Sequence, residues 1–267
     1  MQIGDPRYYA VQAAPGVSHV DTDSPRNRLK DRIVIVTGAS SGIGAATASA
    51  FAAAGAKVVL AARRLERLRG LAEQINDAGG TALAVAADLM READVLRLFA
   101  ATVERFGRID VLINNAGIAD ATPTDALSIE RWRAVIDTNL TSAFLCSREA
   151  MKVMKPQGRG RIINIGSLSA HVPRADSAAY TASKFALDGL TRSMAVDGRA
   201  HGIAVSIFHP GMVVSELAPG MAAAPAETMS DPADTADILV HMASVPDHLN
   251  FYSALMLPLA VPFLGRG

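Results

Sequence analysis

Three observations predict that the chain is an α/β protein built on a parallel sheet. From Arg32 onward, six short apolar runs alternate with segments of helical periodicity. Half of the residues are hydrophobic but only 5% are aromatic, and Ala, Val, Ile and Leu dominate, which suits strands buried on both faces. The 267 residues suffice for one large domain with a substantial core, and no repeat or low-complexity tract divides them.

Taken in order, residues 1–29 carry Pro6, Pro15, Gly16 and Pro25 with mixed charge and no periodicity. They are expected to form an arm, disordered or laid over a neighbouring subunit, with one domain over 30–267. The apolar runs I-V-I-V-T (33–37), K-V-V-L-A-A (57–62), A-L-A-V-A-A (82–87), D-V-L-I-N (110–114), R-I-I-N-I (161–165) and I-A-V-S-I-F (203–208) are expected to be strands. The segments between them predict helices over 43–54, 65–78, 91–106, 128–154 and 179–200, with another over 232–244. Strands separated by helices imply right-handed crossovers. The stretch 212–230 is rich in Met, Ala and Pro and reads as a substrate lid. The apolar run 251–264 is too short to span a bilayer and contains Pro258 and Pro262, so a buried last strand followed by a packed tail is expected.

Lys plus Arg equals Asp plus Glu at 26 each, which gives no field favouring nucleic acid or an anionic membrane. The start M-Q-I-G-D-P-R-Y-Y lacks a signal-peptide pattern and no run of 18 apolar residues occurs, so a cytoplasmic protein is expected. Cys146 is the single cysteine, which excludes an intramolecular disulfide. Without a Cys or His partner at ligand spacing it reads as a buried small hydrophobe, and no metal is expected.

Directly after the first strand comes T-G-A-S-S-G-I-G over 37–44, followed at once by an alanine-rich helix. Gly38, Gly42 and Gly44 permit a tight turn and close approach of backbone to a pyrophosphate, while the amides at the helix start attract its charge. Strand, loop and helix in that order predict dinucleotide binding, with Ser40, Ser41 and Ile43 in the same loop. An acid at the end of the second strand would bind a ribose 2′-hydroxyl. Ala62 stands there instead, followed by Arg63 and Arg64. Arg63 can grip a phosphate through two donors, with Arg64 and Ser40 as helpers, which favours NADP(H). Two solvated arginines at a helix start would leave NAD(H) open.

Tyr180 and Lys184, in Y-T-A-S-K, follow Ser167 by thirteen residues and more. A phenol of pKa ~10 is a poor base at neutral pH unless a cation lies nearby. On a helix Lys184 shares the face of Tyr180, and lowering the phenol to ~7 needs about 4 kcal/mol, one charge at ~4 Å in an effective dielectric of ~20. The pair is therefore expected to do acid-base work on a hydroxyl or carbonyl.

With T-G-A-S-S-G-I-G, N-N-A-G at 114–117, Asn139, Ser167 and Y-T-A-S-K in order, the chain resembles the short-chain dehydrogenase/reductase family over residues 30–260. The resemblance implies a doubly wound, Rossmann-type sheet of seven parallel strands, the seventh near 251–257. It implies an oxidoreductase that interconverts a carbonyl and an alcohol of a small molecule, with Tyr180 as acid-base and Lys184 lowering its pKa while holding the nicotinamide ribose. Ser167 would hydrogen-bond the substrate oxygen, and Asn139 would anchor a water that joins Lys184 to solvent. Asp88 and Leu89 resemble the adenine contact, Asn115, Ala116 and Gly117 the wall along the cofactor, and Pro210, Gly211, Val213 and Ser215 the loop that receives the carboxamide. A homotetramer or homodimer paired through the helices at 128–154 and 179–200 is implied as well. Gly166, Thr138 and His209 depart from the family's commonest pattern and leave the substrate open.

The tail resembles the branch that acts on small aldehydes, ketones and hydroxy acids more than the 3-oxoacyl-type reductases. His171, Val172, Arg174 and Asp176 are expected at the substrate mouth, where Arg174 could bind a carboxylate. His209 and His201 read as a local structural and a surface histidine, and Trp132, Met151 and Met154 as helix packing. A non-catalytic nucleotide sensor or scaffold is the alternative, since a fold does not fix a function.

Overall fold

The computed structural model describes residues 27–216, 225–262 and 264. The apolar runs form strands, and all but the edge strands β3 and β7 bury side chains on both sides of the sheet: β1 (Ile33–Thr37), β2 (Lys57–Ala62), β3 (Thr81–Ala86), β4 (Val111–Asn114), β5 (Gly160–Ile165), β6 (Ile203–Pro210) and β7 (Ser253–Met256). They pair in the order β3-β2-β1-β4-β5-β6-β7, all parallel, which is the doubly wound seven-stranded sheet expected. The chain leaves β1 for β2 and β3 on one side and returns to β4 on the other. The carboxyl ends of β1 and β4 therefore bound a crevice at the topological switch point.

Helices cover both faces. Val34 and Val36 of β1 face the layer of α1 (Gly42–Ala53), α2 (Leu65–Asp77) and α7 (Pro232–Ser244), where Phe51, Leu68 and Leu239 are buried. Ile35, one residue out of phase, faces α3 (Glu92–Phe106), α5 (Ser142–Gln157) and α6 (Ala178–Arg199), against Leu98, Met154 and Met194. Asp231 caps α7 through the Ala233 amide at 2.8 Å, and Pro232 sits where its missing N–H has no partner to lose.

Three expectations need correction. The helix expected over 128–154 is interrupted: α4 (Ile129–Ile136) is capped by Ser128, whose Oγ accepts from the Arg131 amide at 3.2 Å, and then passes into one wider i→i+5 turn over Asp137–Thr141 before α5 begins. There Ser142 Oγ donates to the Thr138 carbonyl at 2.6 Å. The last strand is not buried, because β7 pairs only with β6 and forms an edge, with Leu255 38% exposed. The tail beyond it is not packed at Leu259, which is fully exposed. Leu29, placed in the arm, is buried against the first core layer. Residues 1–26 of that arm, and 217–224 of the expected lid, lie outside the described residues. Among the described residues no helix is long and apolar enough to cross a membrane.

Candidate active site

The crevice at the switch point is a cavity of about 680 Å³. Its floor at one end is the turn between β1 and α1. Gly38 and Gly42 have φ of +65° and +52°, a backbone conformation that favours glycine. A Cβ at Gly44 would lie 2.3 Å from the Gly38 carbonyl oxygen, so only hydrogen lets α1 start this close to the strand. The side chain of Ser41, the residue before α1, makes no capping hydrogen bond to the helix. Thr37 Oγ1 accepts from the amides of Asn115 and Ala116 at 2.9 and 3.1 Å, and Asn115 Nδ2 donates to the Thr37 carbonyl at 2.9 Å. These bonds fasten the N-N-A-G segment to the end of β1. A tight loop, helix-start amides and two nearby arginines are the donor set that a phosphorylated dinucleotide needs.

At the other end, β5 delivers Ser167 and α6 delivers Tyr180 and Lys184, all lining the same cavity. Ser167 Oγ accepts from the Ser169 amide at 3.1 Å. Lys184 is buried and its Nζ donates to the Ile165 carbonyl at 2.7 Å, lying 5.7 Å from the Tyr180 ring centroid. Burial lowers the lysine to about 8. Burial also raises the Tyr180 phenol above its ordinary value, while the Ser167 hydroxyl and the positive charge of Arg174 pull it back. Lys184, whose ammonium is turned to the Ile165 carbonyl, is not among the causes of that shift. Arg174 is a second cation beside the ring, its guanidinium 5.8 Å from the centroid. It makes no side-chain hydrogen bond or ion pair with the described residues.

The residues expected to act in catalysis or to contact the cofactor line this cavity except Gly44 and Asn139. Asn139 lies in the wider turn after α4, and its side chain makes three hydrogen bonds to Ile118 and Ser183. Its Oδ1 accepts from the Ile118 amide at 2.8 Å, and its Nδ2 donates to the Ile118 carbonyl and to Ser183 Oγ, both at 3.0 Å. Asn139 therefore braces the wall that follows Gly117, and no side-chain bond joins it to Lys184. Ser183, one residue before Lys184 inside the Y-T-A-S-K run, was the sequence signal for that brace. Of the four residues expected at the mouth, Arg174 lines the cavity while His171, Val172 and Asp176 do not. Arg131 lines it without having been expected to, and Met212 and Glu216 of the expected lid line it too. Cys146 is buried as anticipated, and His201 is exposed.

Gly166 and His209 prove to be one arrangement. A Cβ at Gly166 would stand 2.5 Å from His209 Nδ1, so the missing side chain makes room for the imidazole. That nitrogen lies 3.3 Å from the Ser167 amide and 3.1 Å from the Ser167 carbonyl, and the ring meets His171 edge-on at 4.4 Å. Burial and the neighbouring His171 lower His209 to about 4, so it stays neutral and supports the backbone of Ser167. Gly166→Ser is expected to destabilise the fold by about 1–3 kcal/mol through overpacking, and His209→Ser in the same chain should recover most of that loss. Denaturant melts of the two single variants and the double variant check this, and additive losses would show that the positions are independent.

The family model for short chain dehydrogenases matches residues 32–225. The chain is 41% identical over 169 residues to a 3beta-hydroxysteroid dehydrogenase of Mediterraneibacter gnavus, covering 63% of this chain and 61% of that one. It is 42% identical over 168 residues to a 3-oxoacyl-[acyl-carrier-protein] reductase of a Synechocystis strain, covering 62% and 68%. Against a cis-4-hydroxycyclohexanecarboxylate dehydrogenase of Sinomonas cyclohexanicum it is 41% identical over 166 residues, 62% of this chain and 66% of the other. Among solved structures, a Beutenbergia cavernae protein assigned as an NAD(P)-dependent gluconate 5-dehydrogenase, with NADP bound at low occupancy, is similar at a TM-score of 0.81 and 34% identity. That match covers 87% of this chain and 97% of the other.

Proposed function

The chain belongs to the short chain dehydrogenase family, and from that premise we propose that it is an NADP(H)-dependent oxidoreductase interconverting a carbonyl and an alcohol of a small molecule. One observation carries the reading: Ser167, Tyr180 and Lys184 line the same cavity as the glycine turn and Arg63 and Arg64. The nicotinamide, when bound, supplies or accepts the hydride. Tyr180 gives or takes the proton on the substrate oxygen, and Ser167 holds that oxygen by a hydrogen bond. Lys184, which donates to the Ile165 carbonyl, would hold the ribose hydroxyls of the bound cofactor. Arg63 and Arg64 hold the 2′-phosphate, and the loop from Pro210 to Ser215 shields the nicotinamide end from water.

We also propose that the substrate carries a carboxylate close to the reacting oxygen. Arg174 supports this, as a guanidinium beside the phenol without an acidic partner among the described residues. The names of the gluconate 5-dehydrogenase and 4-hydroxycyclohexanecarboxylate relatives also include a carboxylate, several carbons from the reacting hydroxyl. The Synechocystis relative supports a second reading, reduction of a 3-oxoacyl thioester. Exposed Phe144, Phe185 and Val196 on α5 and α6 support pairing of subunits through those helices.

The test is a panel of oxo acids, their methyl esters and a 3-oxoacyl thioester, each assayed with NADPH and with NADH. Higher kcat/KM for oxo acids with NADPH is expected, and Arg174→Gln should raise KM for the acids about tenfold or more without affecting the esters. A preference for NADH would overturn the assignment of Arg63, and equal use of acid and ester would overturn that of Arg174.

A further inference from the structure

Beyond the end of β2, Arg64 is engaged on all sides. Its Nε and Nη2 donate to Ser40 Oγ at 3.1 and 2.8 Å, Nη2 also donates to Ser41 Oγ at 2.7 Å, and Nη1 donates to Glu216 at 2.8 Å. The second carboxylate oxygen of Glu216 accepts from Arg67 Nη1 at 2.7 Å. A single carboxylate, 152 residues further along the chain than Arg64, is thus held between two guanidiniums beside two serine hydroxyls. Arg64 and then Arg67 hold Glu216 down to about 2, so it is charged at any working pH.

This donor set is the chemistry of a phosphate site, since guanidiniums and hydroxyls at fixed positions match a tetrahedral dianion. It also stands where an open parallel sheet reads the ribose 2′ position, just past the second strand. Glu216 takes one of the two N–H donors of Arg64 Nη1 and sets a negative charge beside any phosphate that Arg64 would bind. Arg63, exposed on the same rim, has no such internal partner among the described residues.

We infer that Glu216 is an internal competitor for the 2′-phosphate of NADP(H), a specificity-determining residue that weakens the site's grip on that phosphate while leaving the rest of the nucleotide untouched. The inference rests on the NADP(H) reading given above. Glu216 belongs to the segment that leaves β6 through Pro210 and Gly211, and Met212 and Val213 of that segment line the cavity. The segment is tied to 230 by bonds between Val214 and Ser230 at 3.1 Å and between Ser230 and Met212 at 2.9 Å. A 2′-phosphate on Arg64 and a 212–216 segment anchored through Glu216 therefore oppose each other, and the opposition is reciprocal: each weakens the other by the same factor.

The experiment is calorimetric titration of the whole chain, at fixed ionic strength, with 2′,5′-ADP and with 5′-AMP, before and after Glu216→Gln. The variant keeps the size of the side chain and removes its charge. Exposed ion pairs are weak, so the expected gain is about two- to fivefold in affinity for 2′,5′-ADP, with 5′-AMP unchanged. An unchanged or weaker 2′,5′-ADP affinity overturns the inference. An equal gain for both nucleotides also overturns it, because that is long-range charge and not competition at one phosphate. The two ligands in the unaltered protein test the reading beneath it: if 5′-AMP binds as tightly as 2′,5′-ADP, the NADP(H) preference itself fails. Arg64→Gln completes the set and should lose 2′,5′-ADP affinity about tenfold or more, since it removes a charge-assisted donor pair.

Discussion

Replacing Tyr180 by phenylalanine is expected to lower kcat by about 10²–10⁴-fold and leave the affinity for NADP(H) nearly unchanged. The substitution removes one oxygen from a buried ring that packs with Val135 and Ala179, so the fold should tolerate it. What it removes is the group placed to exchange a proton with the substrate oxygen. The environment of that group sets a direction for the pH profile. Burial holds the phenol above its ordinary value, so it carries its proton at neutral pH and is ready to donate during carbonyl reduction. Reduction should therefore be flat near neutrality and fall as pH rises through the phenol's pKa. Alcohol oxidation, which needs the phenolate, should climb with pH over the same range. Initial rates in both directions across pH check this, and a Tyr180→Phe variant with most of its activity intact would sink the mechanism.

Lys184→Met should abolish turnover, by about 10²-fold or more, and also change the pH dependence of stability. Lys184 in the folded protein titrates near 8, below its ordinary value of 10.5. Between those values the unfolded chain binds more protons than the folded one, so stability rises with pH across the window. Below pH 8 the buried ammonium opposes folding by on the order of 3 kcal/mol relative to its neutral form. Methionine carries no such penalty, although it leaves the Ile165 carbonyl without its donor, which costs about 1–3 kcal/mol. Urea melts of both proteins without cofactor should show the variant's relative advantage at pH 7.5 and its decline toward pH 10.5. A difference that stays constant with pH would mean that Lys184 titrates at its ordinary value.

Much of this was legible in the chain itself. Strands buried on both faces declare themselves as apolar runs, and the turn glycines follow β1 directly, so the sheet and the phosphate end could be read in order. The wider turn over Asp137–Thr141 could not, because one extra residue in a helical turn leaves the hydrophobic period almost intact. Other features depend on contacts across the sheet. Gly166 and His209 looked like two unrelated departures, and only their meeting at the ends of β5 and β6 makes them one. Glu216 could be placed in the lid stretch, but its pairing with Arg64 and Arg67, most of the chain away, could not be read. Lys184 was correctly brought to the cavity with Tyr180. Its carbonyl partner could not be anticipated, since helical spacing fixes a side chain's face but not the acceptor it finds.

The burial of Cys146 has a practical consequence. The protein's only thiol has no exposed surface, and burial, with Glu149 nearby, pushes it up to about 12. Maleimides and similar electrophiles require a reachable thiolate, so the unaltered protein should be silent toward them. A cysteine introduced at exposed Val214 would then be the one position that takes a dye. Movement of the 212–216 segment could be followed by fluorescence in an otherwise natural background, without first stripping the molecule of a competing residue.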